Sequence, residues 1–320
     1  MVRYITSLSI NIKEKILILR YFLKIYFFKS PMDELSSIKY LLYDLISKFC
    51  FKLKKEQIKV HPHNAVLEFN KKGFATFTNK KIEKNCISIL NILKNYDKCW
   101  DENKRYIGSP SNKFKSELIS IFKEGGVDNF IKSVFNSDYY IFYHILYKSN
   151  RLDELEKPQG SELWHSDAGP GICMNLMICH TPINEYNGSM KIINWEKSIK
   201  LLTDLYFKNK KLNNQKITKN SIIFNNRLYL REQKCKILEK QIKKESINFF
   251  QPISKNSGTI FAFRNNCVHA GGYTEIDSER IVSVLHIYPS AKKTSIREKF
   301  QSSHIKVSGY PDLGTLIKNN

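Results

Sequence analysis

The sequence has no paired cysteines. Its 320 residues contain seven cysteines, an odd number, and no two of them form a C-x-x-C pair. A disulfide framework and a zinc ribbon both need such pairs, so neither is indicated. Free thiols are typical of a reducing compartment, and the sequence therefore predicts a cytoplasmic protein. Cys267 stands two residues before a histidine, where a small buried side chain is favoured over a metal ligand.

Long apolar runs are also missing. The strongest run, Ile16–Phe28, is too short to cross a bilayer and is interrupted by Arg20 and Lys24. No small-residue cleavage site follows it, which argues against a secretory signal. A helix docked on the main domain is favoured, while an interfacial helix that contacts a membrane through residues 16–28 stays open. We expect residues 1–65 to form a helical N-terminal extension.

Acidic residues are scarce relative to basic ones. The chain has 52 Lys and Arg against 30 Asp and Glu, which gives a formal net charge of +22. A charge of this size favours a polyanionic partner such as nucleic acid or an anionic membrane. Lys greatly outnumbers Arg, however, and is spread along the whole chain, whereas nucleic-acid readers concentrate Arg and aromatic side chains. A compositional bias of the source explains the charge better, and a nucleic-acid partner is not favoured.

The hydrophobic fraction of 42% is enough to build the core of one large domain. We place this domain at residues 66–320. Its apolar patterns predict both strands and helices. Strands are predicted over 72–77, 139–147, 174–179 and 280–288, helices over 82–94, 114–122 and 127–135, and a turn over 61–64. A long Lys-rich excursion over 196–257, with a hairpin arm at 222–230, departs from the strand pattern and has to lie outside the sheets or over one open end of the domain.

One short segment carries the main chemical signal. In Leu163–Asp167 an imidazole, His165, and a carboxylate, Asp167, lie two residues apart. On an extended segment, residues i and i+2 face the same way, so both side chains would point inward as a chelating pair. An ordinary surface strand is the plain alternative. His269 follows the apolar run Thr259–Phe263 and supplies a third ligand, which completes the two imidazoles and one carboxylate of non-heme Fe(II) oxygenases.

Further polar residues accompany this triad. Arg280 comes eleven residues after His269, and a buried guanidinium there can hold the far end of a dicarboxylate through two hydrogen bonds. Asn175 is an inward polar group on the strand that follows the metal pair. On the preceding aromatic strand, either Tyr143 or His144 faces the cavity, but not both, and core packing is an equally good role for each.

The order of these segments resembles the phytanoyl-CoA dioxygenase family of Fe(II)/2-oxoglutarate oxygenases. The resemblance covers roughly Val66 to Ser290 and is most specific after residue 160. It is carried by Trp164–Asp167, Met174–Ile178, the acidic turn Asn184–Ser189, His269 and Arg280. In that turn Gly188 is expected to adopt a backbone conformation that other residues resist. The resemblance implies a mainly β fold with flanking helices, a double-stranded β-helix of the jelly-roll or cupin-like type, with the metal near one end.

The resemblance also implies a ligand set and a cosubstrate. Fe(II) would be bound by the catalytic residues His165, Asp167 and His269. The keto-acid end of 2-oxoglutarate would chelate the iron, and its other carboxylate would pair with Arg280. Tyr143 and Asn175 are candidates for further contacts with the cosubstrate.

The implied reaction is hydroxylation of an unactivated C–H bond in a small-molecule or acyl, CoA-type substrate. It consumes O2 and 2-oxoglutarate and releases succinate and CO2. Halogenating relatives of this chemistry carry a small residue in place of the carboxylate, so Asp167 favours hydroxylation. Two alternatives stay open: a cupin-type metal enzyme that does not use 2-oxoglutarate, against which Arg280 argues, and a basic nucleic-acid- or membrane-binding protein that keeps the barrel.

Overall fold

The computed structural model of the protein describes residues 63–94, 111–135, 137–150, 158, 160–167, 173–198, 200–201, 235–265, 267–276, 278–290 and 293–302. The predicted N-terminal extension up to residue 62 and the predicted hairpin arm at 222–230 lie outside these ranges. Within them, no helix combines the length and the apolar character that a membrane crossing needs.

In the described part of the chain, seven strands form two antiparallel sheets, a five-stranded main sheet and a two-stranded one that we call the second ladder. They are β1 (Phe74–Phe77), β2 (Asp138–Asn150), β3 (Met174–Cys179), β4 (Lys191–Ile192), β5 (Thr259–Arg264), β6 (His269–Ala270) and β7 (Glu279–Ser290). The main sheet has five of them, side by side in the order β1, β5, β3, β7, β2. The predicted strands are confirmed, although the first begins at Phe74 rather than at Lys72.

The second ladder is short, and it brings together the two histidines of the predicted metal site. Strands β4 and β6 pair through Ile192 and His269. Single bridges extend the ladder on both sides, from His269 to His165 and from Ile192 to Phe250. Four chain segments therefore lie next to one another, and two of them carry the predicted imidazole ligands.

An apolar cluster is shared by the two ladders. Side chains alternate between the two faces of a strand, so every second residue of the main sheet contributes to this cluster. Met177, Phe261, Phe263 and Val282 come from the main sheet, and Ile192 comes from the second ladder. We call this side of the main sheet its inner face.

Helices cover the other face of the main sheet. They are α1 (His63–Lys72), α2 (Lys80–Leu93), α3 (Asn112–Glu124) and α4 (Val127–Phe135). Leu176 and Ile178 of β3 pack against them in a second buried cluster. Since both faces are covered, all six residues of β3 are buried. The predicted mainly β fold with flanking helices is confirmed.

One local prediction was wrong. Residues 61–64 were expected to form a turn, yet His63 and Asn64 begin α1. The reason is the apolar spacing that follows, because Ala65, Val66 and Phe69 fall on one helical face and are buried against the sheet. This burial outweighs the turn preference of the Pro-His-Asn sequence.

Part of the Lys-rich excursion covers the outside of the second ladder. Residues 235–244 form a helix, which we call α5. Its Leu238 and Ile242 pack against Ile193 and Val268. Val268 directly precedes His269, so α5 supports the chain segment that carries this ligand.

The last described helix, α6 (Ile296–Ser302), is attached to the main sheet through a buried ion pair. The Lys299 ammonium lies 2.7 Å from a carboxylate oxygen of Asp138 in β2, and the Lys299 side chain is fully buried. The same ammonium donates to the carbonyl oxygen of Thr294 at 2.6 Å. Phe300 packs edge-on against Phe122 of α3, with the ring centroids 5.0 Å apart.

We expect Lys299→Met to destabilise the protein strongly, because the buried Asp138 carboxylate would lose its cation. Breaking a buried pair in this way typically costs about 3–5 kcal/mol. Urea denaturation measures the free energy of unfolding. Lys81→Met is the matched control, because the ion pair of Lys81 with Glu124 is solvent-exposed and such pairs contribute about 0–1 kcal/mol. Equal losses in the two variants would contradict a structural role for the buried pair.

Candidate metal centre

The two histidines are held together by the backbone. The N–H of His165 donates to the carbonyl oxygen of His269, and the N–H of His269 donates to that of His165, both at 2.8 Å. Residues paired directly across an antiparallel bridge project to the same side. The two rings accordingly lie next to each other, with their centroids 4.2 Å apart and their planes inclined by 54°. The extended segment predicted around His165 is therefore present in the structure only as this single bridge.

Each imidazole is oriented by a carbonyl oxygen two residues before it. Nδ1 of His165 is 2.7 Å from the oxygen of Leu163, and Nδ1 of His269 is 2.9 Å from the oxygen of Cys267. A carbonyl oxygen only accepts, so Nδ1 must carry the proton in both rings. The lone pair of Nε2 is then available to a metal ion, which is the arrangement that metal-binding histidines usually have.

Asp167 lies opposite both Nε2 atoms. One carboxylate oxygen, Oδ1, is 3.6 Å from Nε2 of His165, and the other, Oδ2, is 3.7 Å from Nε2 of His269. The three residues offer ligand atoms that all lie within 4.8 Å of one another. A divalent metal ion bonded at roughly 2.0–2.2 Å to nitrogen and oxygen fits among atoms with this spacing.

Charges at the site suit a cation. Burial lowers the pKa of His269 to about 4, so this imidazole is neutral at pH 7 and can act as a ligand. Burial raises the pKa of Asp167, but the neighbouring imidazoles of His269 and His165 lower it more, and the net pKa lies well below the usual range. The centre therefore presents the neutral imidazole of His269, the Nε2 atom of His165 and one ionised carboxylate.

Asn175 is bonded to the carboxylate of the site. Its Nδ2 donates to Oδ2 of Asp167 at 2.5 Å and to Oδ1 of Asn265 at 3.3 Å. Sequence reasoning placed Asn175 on the inner face but did not single out Asn265, whose only signal is its position directly after β5. Because both N–H groups of the amide are used, only Oδ1 of Asn175 remains for another partner. That atom is buried and has none among the described residues.

Two inner-face residues flank Asn175 in the sheet. Phe263 of β5 and His286 of β7 are its direct partners across the ladders. The Phe263 ring lies 4.8 Å from the His269 ring and forms an apolar wall of the site. Burial lowers the pKa of His286 to about 4, although the Asp167 carboxylate acts in the opposite direction. His286 is thus close enough to sense the charge of Asp167, but it is not one of the three clustered ligands.

Of the two aromatic candidates on β2, the structure describes the side chain of His144. His144 faces the helices, where its ring stacks on Phe114 with centroids 6.3 Å apart. Burial there lowers its pKa to about 4. Tyr143 pairs with His286 in the backbone register, while its side chain lies outside the described part of the structure. Its predicted contact with a cosubstrate remains a prediction.

Arg280 is buried on the same side of β7 as Val282. Its Nη1 donates to the carbonyl oxygen of Gly188, while its Nε has no hydrogen-bond partner among the described residues. Burial lowers the pKa of the guanidinium, against the opposing influence of Cys179 and Glu162. A buried cation with an unused donor is a suitable partner for an anionic ligand.

Two glycines shape the loop that supports Arg280. Gly188 has the predicted positive φ, 81°, and a Cβ there would lie 2.9 Å from Oγ1 of Thr274. Gly272 has φ 73°, and a Cβ on it would lie 2.3 Å from the carbonyl oxygens of Gly188 and Ser189. The two backbones can approach this closely only without side chains. Sequence reasoning missed Gly272 and Thr274 because they lie in irregular chain.

Cys267 has the structural role that the sequence favoured. Its sulfur lies 3.6 Å from the carbonyl oxygen of Gly73, in the apolar cluster. Burial raises the pKa of the thiol to about 12. A protonated thiol does not compete with the imidazoles for a metal ion.

No protein-family model matches the chain, and no curated protein matches it either. Among solved structures, similar chains include the non-heme alpha ketoglutarate dependent epimerase SnoN from nogalamycin biosynthesis, with 8% identity over 71% of this chain and 81% of that one and a TM-score of 0.45. EctD from S. alaskensis, solved with 2-oxoglutarate and 5-hydroxyectoine, has 11% identity over 75% and 79% of the chains and a TM-score of 0.43. AviO1 from Streptomyces viridochromogenes Tue57 has 13% identity over 72% and 96% and a TM-score of 0.43. At such low identity these neighbours assign no role to any residue of this chain.

We expect His165→Ala and His269→Ala each to abolish stable iron binding, because each removes one of three ligand atoms. Loss of residues that only support a ligand already costs about 10–100-fold in metal affinity, and loss of a ligand should cost at least as much. Iron content after anaerobic loading and dialysis is the measurement. His144→Gln, a change at a buried histidine on the helix side of the sheet, should keep the parent's iron content. Parent-like iron in either alanine variant would refute the ligand assignment.

Proposed function

We propose that the protein binds Fe(II) through His165, Asp167 and His269. The observation that carries this proposal is the convergence of two oriented Nε2 atoms and one carboxylate in a largely buried site. Two imidazoles and one carboxylate on one side of a metal ion are the ligand set of non-heme Fe(II) oxygenases, and they leave the opposite positions open. Imidazole nitrogens together with an ionised carboxylate also suit a divalent ion of intermediate softness.

We propose further that 2-oxoglutarate is the cosubstrate and that its far carboxylate pairs with Arg280. Support comes from the unused Nε donor of this buried guanidinium. Thr274 adds a second buried donor next to Gly188, since its Oγ1 also has no partner among the described residues. Charge-assisted hydrogen bonds of this kind are about twice as strong as neutral ones.

The fold fits this reading. Two antiparallel ladders that share an apolar cluster, with helices on one outer side, match a double-stranded β-helix, which we propose as the architecture. The metal site then lies on the second ladder, and the side chains of the inner face line the space between the ladders.

In the proposed reaction each residue has a defined task. Fe(II) together with 2-oxoglutarate and O2 supplies the oxidising power to convert a C–H bond to C–OH, with release of succinate and CO2. His165 and His269 would hold the ion through their Nε2 atoms, and Asp167 stays ionised because its pKa is lowered. Phe263 and the inner apolar cluster exclude water from one side of the site. Arg280 orients the cosubstrate from its far carboxylate.

The proposed outcome is hydroxylation of a small-molecule or acyl substrate. Asp167 fills the position that a halide would need, so incorporation of oxygen is expected rather than of chlorine.

One observation favours a second candidate, a metal enzyme that does not use 2-oxoglutarate. Arg280 already donates to the carbonyl oxygen of Gly188, so its role could be to fix the loop rather than to bind a carboxylate. Binding of 2-oxoglutarate to the metal-loaded protein separates the two candidates.

The test of the proposed function is anaerobic addition of Fe(II) and then 2-oxoglutarate to the purified protein. We expect a visible charge-transfer band of the chelate to appear only when both are present, because the keto acid must bind to the iron. Admission of O2 should then yield succinate. Iron binding without the band, and without succinate, would favour the second candidate.

We expect Arg280→Ala to weaken 2-oxoglutarate binding while iron binding is unchanged. Truncation of one partner of a buried charged pair costs about 2–5 kcal/mol. Titration of the visible band against 2-oxoglutarate gives the affinity, and iron content gives the control readout. Arg264→Ala is the matched variant, because the Arg264 guanidinium lies over the Trp195 ring at 4.8 Å and away from the inner face. A parent-like affinity in Arg280→Ala would show that the carboxylate is bound elsewhere.

A further inference from the structure

The residue of interest is Asn175, which is almost completely buried at the centre of the main sheet. Only 1% of its surface is exposed, and it makes a short hydrogen bond of 2.5 Å to Oδ2 of Asp167. Asn265, fully buried as well, accepts the second N–H of the same amide at 3.3 Å. The amide of Asn175 has two N–H donors, and each of them is bonded to one acceptor, which fixes its orientation.

The orientation of this amide follows from its partners. If the amide were turned over, its oxygen would face the carboxylate of Asp167, and two acceptors would meet in a buried place. With the nitrogen toward Asp167, no two acceptors meet. The unfavourable consequence is then a single buried amide oxygen, Oδ1 of Asn175, which has no partner among the described residues. Phe263 and His286, the neighbours across the sheet, leave the side chain between them on the inner face. The donor is therefore directed at one carboxylate oxygen.

We propose that Asn175 is a positioning residue that makes Asp167 a ligand through one oxygen only. Oδ2 is engaged by the amide, and Oδ1 is the oxygen that remains free for the ion. This inference rests on the proposed function and deepens it, because it concerns how many coordination positions of the metal ion stay open to other ligands.

The number of open positions decides which chemistry the centre supports. Two imidazole nitrogens and one carboxylate oxygen leave three positions of a six-coordinate ion. A keto acid that binds through two atoms takes two of these, and one is left for O2. If both oxygens of Asp167 were bound, only two positions would be open, and the keto acid and O2 would compete for them. Asn175 thus acts on cosubstrate binding through Asp167, and its predicted direct contact with the cosubstrate stays a prediction.

The test uses Co(II) as the probe, because its d–d absorption reports the coordination of the ion without turnover. Asn175→Leu keeps the approximate volume and removes both donors. We expect this variant to bind one Co(II) with an affinity lowered by about 10–100-fold, as for other residues that support a ligand. Its Co(II) spectrum should differ from that of the parent in position or intensity, and the spectral change on addition of 2-oxoglutarate should need a concentration at least about tenfold higher.

Two further variants make the result decisive. Leu176→Met lies next to Asn175 on the same strand but faces the helices, changes no polar group, and should give the parent's spectrum and titration. Asn265→Ala leaves Asn175 in place but removes its second acceptor, so a smaller shift in the same direction is expected even if Asn175→Leu does not fold. Parent-like Co(II) spectra in both Asn175→Leu and Asn265→Ala would overturn the proposal.

The outcomes also separate this inference from the proposed function. If the parent binds Co(II) but its spectrum does not respond to 2-oxoglutarate, the cosubstrate proposal fails, and the spectra of the Co(II) forms alone still decide the role of Asn175. If the parent does not bind Co(II), the metal proposal and the role of Asn175 are overturned together.

Discussion

The reciprocal hydrogen bonds between His165 and His269 are the contact on which the site depends. They join two segments that are far apart in the chain, and they set the distance and the direction of both imidazoles at once. Two such bonds contribute only about 1 kcal/mol each to stability. The bridge therefore needs support from its surroundings, which comes from Ile192 on one side of His269 and from the packing of Val268 under α5.

A second constraint is the burial of charge. A carboxylate in an apolar interior is costly unless it is hydrogen-bonded or paired. Asp167 accepts a hydrogen bond from the amide of Asn175 on one side, and on the other side it faces the two Nε2 atoms, where the proposed metal ion would supply the opposite charge. The guanidinium of Arg280 is a buried cation, and its burial is costly for the same reason. Its one described hydrogen bond goes to a carbonyl oxygen. The interior thus holds an anion and a cation that do not neutralise each other directly.

The sequence was sufficient for what depends on local pattern. Residues two apart on an extended segment predicted that His165 and Asp167 would lie together, and apolar periodicity predicted β3 and the helices that cover it. Which of Tyr143 and His144 faces inward was not predictable, because a bulge between Ile141 and Tyr143 shifts the register of β2. Asn175 was placed on the correct face, but its bond to Asp167 depends on where the segment 163–167, which has a single bridge and no strand, lies relative to β3. Close approach of Gly188 and Gly272 depends on long-range geometry as well, and no local signal reports it.

Charge balance bears on the kind of ligand that the proposed metal centre would accept. At pH 7 the lowered pKa values of His269 and His286, about 4 in each case, leave both imidazoles neutral. The charged groups beside them are the Asp167 carboxylate, the Arg280 guanidinium and the Glu162 carboxylate that acts on Arg280. A divalent ion among these groups would make the site net positive, and uncompensated buried charge is strongly unfavourable. An anionic ligand reduces this excess, and it can use the donor of Arg280 that has no partner among the described residues. The residues of this chain therefore favour an anionic ligand over a neutral one at the proposed metal centre.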